Sequence, residues 1–340
     1  MREPITEGVP GARDGGAPGI ERVLGRIKAR EAGPTVLLLG GIHGNETAGV
    51  EGIRRVVDEL ERADALPHGD VFALLGNRRA YLHDRRFVDV DLNRIWKPSD
   101  PPYERLPAEG EGAAEFQEQR ELLEELTMIF GEVRGPVHVL DLHTTSGEGA
   151  PFQGEFGASR EPEEEWERGI PVPHVLGLES MIRGTLGAFL HRRWRARYVL
   201  FEGGQHRDPR SPLRAEAAIW TFLASIGLVP SSLEDRVTSS HRLLDDETRG
   251  LPDVLEMIHR HPIFPDQGFE MQPGFLNFQS VRRGQILARN KAGTIRAEFD
   301  ARILMPLYQE VGSDGFFLVR DHHAVRPRGL RRPETERATS

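Results

Sequence analysis

The sequence predicts an α/β fold, a mostly parallel mixed β-sheet flanked by helices, followed by a small C-terminal β-domain. Three observations carry this. Short continuous apolar runs, TVLLLGG from Thr35, VFALLG at 71–76, VHVLDLH ending at His143 and RYVLFEGG ending at Gly204, read as strands. Uninterrupted apolar character is what a strand buried on both faces requires, and such strands belong to parallel sheets covered by helices. Helical spacing separates these runs, and from about Val254 the text turns to short pieces punctuated by glycine.

In order, residues 1–33 are polar and rich in Gly and Pro and read as a flexible N-terminal segment. The main domain spans 34–230. After the first strand, GIHGNE forms a loop, and TAGVEGIRRVVDELERA places Val50, Ile53, Val57 and Leu60 on one helical face. The stretch from Asn77 to Trp96 reads as irregular and crowded with polar groups; helices are expected at about 113–130 and over 211–228, and VPHVLGL adds a strand. Residues 231–253 are polar and resemble a linker. GFLNFQSV, GQILARN, GTIRAEFD and ARILMPLY then suggest antiparallel strands in a domain over 254–322, with a charged, flexible tail at 323–340.

Composition excludes several functions. A formal charge of −9 opposes nucleic-acid binding, which needs a basic face for phosphates. No apolar run approaches the roughly 20 residues of a membrane helix, and the N-terminus has no signal-like apolar core, so a cytoplasmic location and no membrane partner are expected. The absence of cysteine removes thiolates, so any transition metal must be held by His, Asp or Glu. A homo-oligomer is left open.

His43 and Glu46 stand three residues apart where a loop becomes a helix, so both can grip one ion. Gly40, Gly41 and Gly44 allow the tight turn, and His143 ends another buried strand. In open α/β sheets ligands gather at the carboxyl ends of strands, where His43, Glu46, His143 and Glu202 all fall. Two His and one Glu make the catalytic rather than the structural zinc pattern, with a fourth position for water, so one Zn2+ is the expected cofactor.

These residues resemble the aspartoacylase and succinylglutamate desuccinylase family, a branch of the zinc carboxypeptidase-like fold. GGIHGNE (40–46), RFVDVDLNR (86–94), DLHTT (141–145) and FEGG (201–204) stand in the family's order and spacing. The resemblance implies that Glu202 is the general base, activating water and passing its proton to the leaving amine. It implies that Asn93 and Arg94 hold the substrate's free carboxylate, and that Arg86 polarises the scissile carbonyl. Asp89, Asp91 and Asp141 are read as groups that orient Arg or His, or as turn caps. The implied reaction is removal of an acyl group from an N-acyl amino acid or similar small amide with a free carboxylate. A metallocarboxypeptidase acting on peptides and a non-catalytic metal-binding protein are the alternatives.

One departure concerns the substrate. In aspartoacylase proper a tyrosine from the C-terminal domain helps close the site, whereas YQEVGSDGFF, the region that resembles it, has none at the matching place; Glu310 matches a family acidic residue. His138, His174, His191, His259 and His261 read as core or surface histidines, while His206, four residues after Glu202, is a candidate for approaching the site.

Overall fold

The computed structural model describes residues 20–63, 66–96, 112–156 and 169–322. The C-terminal tail and residues 1–19 of the N-terminal segment lie outside the described residues. Fourteen strands follow in chain order: β1 (Val23–Lys28), β2 (Thr35–Gly40), β3 (Asp70–Leu75), β4 (Val137–Thr145), β5 (Phe152–Phe156), β6 (His174–Leu176), β7 (Arg197–Gln205), β8 (Val254–Pro262), β9 (Glu270–Met271), β10 (Ser280–Val281), β11 (Ile286–Asn290), β12 (Gly293–Arg296), β13 (Ala301–Leu304) and β14 (Asp314–Asp321). The helices are α1 (Thr47–Arg62), α2 (Arg78–Leu82), α3 (Ala114–Glu132), α4 (Leu178–Met181), α5 (Leu186–Trp194), α6 (Ser211–Ile226) and α7 (Glu234–Glu247).

Eleven strands form one mixed sheet in the order β1-β3-β2-β4-β7-β5-β6-β8-β14-β13-β10, and β12-β11-β9 form a small antiparallel sheet. The centre, β3-β2-β4-β7, is parallel. Alternation along each strand divides its side chains between two apolar layers. From β2, Leu37 and Leu39 face a core built with Leu122, Leu126 and Ile129 of α3. Val36 and Leu38 face the opposite core, with Ile53, Val56 and Val57 of α1 and Trp220 and Phe222 of α6. Helices on both faces explain why the central strands read as unbroken apolar runs.

Three stretches differ from the sequence reading. Residues 23–28, assigned to the N-terminal segment, form edge strand β1, whose buried Arg22 neighbour is ion-paired to Glu118 and Glu121 of α3. The irregular stretch 77–96 contains α2, N-capped by Asn77 Oδ1, and a single 3-10 turn over Leu92–Arg94. The polar residues 231–253 contain α7, which lies on the outside of α6 and buries only Ser240 and Leu244. One narrow apolar contact is enough for a helix on top of another helix, and Glu247 reinforces it by pairing with Arg214 at 2.7 Å.

The C-terminal strands are antiparallel, but β8, β14, β13 and β10 continue the main sheet through β6. Only β9, β11 and β12 stand apart, over their own apolar cluster that includes Met271, Leu287 and Phe316. This continuity brings the segment between β13 and β14 over the carboxyl ends of the central strands.

Candidate active site

The loop after β2 is shaped by glycine. Gly41 adopts φ +67°, and a Cβ on Gly44 would come within 2.1 Å of the Ala80 carbonyl carbon, so the loop lies directly against α2. The loop ends at Glu46, the N-cap of α1, where the amino end of the helix favours a carboxylate. His43 and Glu46 therefore face the end of β4, which carries His143 two residues after Asp141 on the same face.

Glu46 lies between the two imidazoles. Its Oε1 is 2.8 Å from His43 Nδ1 and its Oε2 is 2.8 Å from His143 Nδ1, and one ligand atom from each residue lies within 4.8 Å of the others. All three side chains are buried. The far nitrogens face carboxylates: His43 Nε2 is hydrogen-bonded to Asp91 Oδ1 at 3.2 Å, and His143 Nε2 lies 3.1 Å from Asp141 Oδ2 in an ion-pair contact without hydrogen-bond alignment. An Nε2–H donated to a carboxylate leaves the Nδ1 lone pair free for a cation, the arrangement found behind histidine metal ligands. The Tyr198 hydroxyl donates to Asp141 in turn. Two imidazole nitrogens and one carboxylate oxygen, each oriented from behind, fit a metal ion.

The charges are tightly balanced. Burial pushes the Glu46 carboxyl up, but His43 and His143 outweigh it and hold the group well below the usual carboxylate range. Burial opposes protonation of His143, yet Asp141 and Glu46 raise it well above an ordinary histidine. Asp91 is held low by His43 and Arg86 against its own burial.

Glu202 on β7 sits opposite His143 in the strand register and is 8% exposed. Burial, reinforced by Glu46, raises its carboxyl to about 8 even though His143 and Arg86 pull it down. Its Oε2 atom is buried without a hydrogen-bond partner among the described residues.

The remaining sequence-predicted residues border the same pocket, a cavity of about 110 Å³ lined by His43, Glu46, His143, Glu202, Arg86, Asn93 and Arg94 among others. Arg86 donates to Asp91 Oδ2 through Nε (3.3 Å) and Nη2 (3.0 Å), and its Nη1 is 3.6 Å from Glu46 Oε1. Asn93 Oδ1 accepts the backbone N–H of Leu186 at 2.9 Å, so its amino group is left for the pocket. Arg94 Nη1 donates to the Asn93 carbonyl and Nη2 reaches Asp314 Oδ2 at 3.4 Å. Asp89 serves elsewhere, accepting the Ala114 N–H at the start of α3.

His206 borders the pocket too. Thr144 Oγ1 is 2.7 Å from its Nδ1 and Gln309 Oε1 is 3.3 Å from its Nε2. Burial lowers its pKa, which suits a neutral ring accepting from Thr144 and donating to Gln309. Glu310 is exposed, and its neighbour Gln309 lines the pocket instead. His138, His174, His191, His259 and His261 do not line it.

Two groups escaped sequence reasoning. Glu115 of α3, fully buried, accepts the backbone N–H groups of Val88, Asp89 and Val90 and the Asn77 amide, fixing the loop that carries Arg86 and Asp91. Asp314 meets Arg94 from 220 residues away. A lone acid on a helix and another at a strand start carry no motif that could have found them.

Fold and site define a mixed α/β protein with a candidate metal centre at the carboxyl end of its sheet. The sequence profile of the succinylglutamate desuccinylase/aspartoacylase catalytic domain matches residues 32–215, and the chain belongs to that family. A succinylglutamate desuccinylase from Pseudomonas fluorescens is 26% identical over 82% of this chain and 80% of its own length. For the one from Pseudomonas paraeruginosa the match is 39% over 121 residues, so the chain spans about a third of that relative. Among solved structures, succinylglutamatedesuccinylase/aspartoacylase from Rhodobacter sphaeroides has the same fold, with a TM-score of 0.59 at 18% identity, covering 87% of this chain and 88% of that one. Among the described residues no helix is long and apolar enough to cross a membrane.

Proposed function

We propose that this chain is a zinc-dependent amidohydrolase that removes the acyl group from an N-acyl amino acid, or a similar amide with a free carboxylate, with Glu202 as general base. The observation that carries this reading is one pocket in which the buried His43–Glu46–His143 group and the unpartnered Oε2 of Glu202 face a carboxylate-binding pair, Asn93 and Arg94.

His43, Glu46 and His143 would hold the ion, with Asp91 and Asp141 fixing both imidazoles. Zinc bound there supplies Lewis acidity, polarising a carbonyl and bringing the pKa of a water to about 7. Glu202 takes the proton of the attacking water and delivers it to the leaving amine nitrogen. Burial raises the proton affinity of this carboxyl, and the charge of a bound cation would bring it back toward the range in which it can accept a proton near neutral pH. Arg86, held in place by Asp91, opposes the negative charge that develops on the carbonyl oxygen. Arg94 and Asn93 orient the substrate through its carboxylate, so that binding far from the reacting bond places the amide.

Met305, Leu307, Gln309 and Phe317 of the C-terminal segments narrow the same pocket to about 110 Å³, which favours a small acylated amino acid over a peptide. Metal analysis of the purified protein, followed by turnover assays on N-acetyl, N-succinyl and N-formyl amino acids beside short peptides, tests the reading. Zinc near one per chain and release of free amino acid are expected. E202Q should keep the metal and lose turnover by about a hundredfold or more. Retained turnover in E202Q removes the base assignment, and turnover of peptides alone replaces the deacylase reading with a peptidase.

A further inference from the structure

We infer that the pocket accepts a substrate with a single carboxylate and an uncharged, apolar remainder, and that Asp314 sets this limit. The inference rests on the deacylase reading and narrows its substrate class.

Charge in the pocket is the starting point. Among the described lining residues, only Arg86 and Arg94 carry a permanent positive charge. Arg86 is already engaged, with two hydrogen bonds to Asp91 and a 3.6 Å approach to Glu46. Among the described lining residues Arg94 is therefore the less tightly held guanidinium and the better placed for a carboxylate, with a longer 3.4 Å approach to Asp314.

Asp314 is fixed in that position. Its side chain is 10% exposed, Arg260 Nε donates to Oδ1, and Ser313 Oγ donates to Oδ2 at 2.9 Å. Arg260 is itself anchored on the Met181 carbonyl at 2.8 Å. The acid therefore steadies Arg94, and it is the carboxylate of Asp314, not the guanidinium of its other partner Arg260, that lines the pocket.

The wall also carries Ile182, Leu200, Met305, Leu307 and Phe317, beside uncharged polar groups such as Thr144, Ser146, Gln309 and Ser313. One substrate carboxylate is matched by Arg94 and the amino group of Asn93. A second carboxylate on the acyl group or side chain would face apolar and uncharged polar groups and Asp314, with no further cation among the described lining residues to meet it. Burying an unpaired charge beside a like charge is strongly unfavourable, so discrimination comes from rejection of the wrong ligand. An aliphatic or thioether side chain meets its complement in the same place.

The test is steady-state kinetics of the zinc-loaded protein on N-acetylmethionine and N-acetylleucine against N-acetylaspartate and N-succinylglutamate. The monocarboxylates should be favoured by at least about a hundredfold in kcat/KM, with the difference mainly in KM. Asp314→Asn should narrow that ratio by about tenfold or more through better KM for the substrates with more than one carboxylate, and Asp314→Glu should restore it. A wild-type preference for N-acetylaspartate or N-succinylglutamate overturns the inference while leaving the deacylase reading intact. An unchanged ratio in a folded Asp314→Asn protein overturns the assignment to Asp314. Absence of turnover on every acylated amino acid, with zinc present, overturns both readings together.

Discussion

Glu115 Oε1 accepts the backbone N–H of Val88 at 2.6 Å, so a carboxylate buried in α3 holds the loop that presents Arg86 and Asp91 to the site. Its other oxygen takes the N–H groups of Asp89 and Val90. In E115Q one of these positions becomes an NH2 facing N–H donors. The change should destabilise the protein by about 1–3 kcal/mol. At a temperature where the variant is folded, kcat/KM should fall by about tenfold or more while zinc content at saturating metal stays at the wild-type level. Unchanged kcat/KM would show that the loop keeps its position without this carboxylate.

Glu202 predicts a pH-dependent stability in protein stripped of metal. Its folded pKa of about 8 lies above the 4.5 of an ordinary glutamate, so the unfolded chain releases the proton first as pH rises. Stability is then lost between about pH 4.5 and about 8, and the full cost persists above that window. E202Q has no such proton. The melting temperature of chelator-treated E202Q minus that of wild type should grow as pH rises from 5 to 8, and a constant difference would contradict the buried, unpaired carboxylate.

Metal affinity should also rise with pH. His143 is held protonated well above an ordinary histidine by Asp141 and Glu46, against the opposing effect of burial, and a protonated ring cannot bind an ion. Zinc should bind more weakly at pH 6 than at pH 8, with proton release visible as a dependence of calorimetric heat on buffer ionisation. Chelation should lower the melting temperature, because an ion that binds only the folded state stabilises it by mass action. Affinity that is flat across this range would refute the proton competition.

Arg94 and lysine are not equivalent at this position. The planar guanidinium can grip a carboxylate with two parallel hydrogen bonds, which an ammonium cannot reproduce. R94K should raise KM by roughly 10- to 100-fold with kcat changed only a few-fold. A fall in kcat at unchanged KM would place Arg94 in the chemical step instead.

Replacing Tyr198 by Phe removes the hydroxyl that donates to Asp141, the acid behind His143. Zinc affinity should drop by about tenfold, since groups that orient a ligating histidine influence affinity on that scale. Equal affinity in the two proteins would mean that the strand alone orients Asp141.

Local chemistry made much of this molecule legible in the amino-acid text. Strands buried on both faces must be continuously apolar, so β2, β3, β4 and β7 could be read directly, and chemistry-bearing residues at their carboxyl ends followed from the geometry of parallel sheets. His43 and Glu46 were visible because both stand within one turn of a helix start. β1 and α7 were not, since each buries little apolar surface and draws its stability from partners distant in sequence, Arg22 with Glu118 and Arg214 with Glu247. Glu115 and Asp314 were hidden for a related reason: a single carboxylate acquires its role only from what the fold sets opposite it. His43 and Glu46 are thus placed by the chain's local order, and the parallel pairing of β2 with β4 sets His143 beside them. The charge that limits which substrate can enter depends on a meeting of Arg94 with a strand 220 residues later, and only the continuation of the main sheet into the C-terminal strands brings that meeting about.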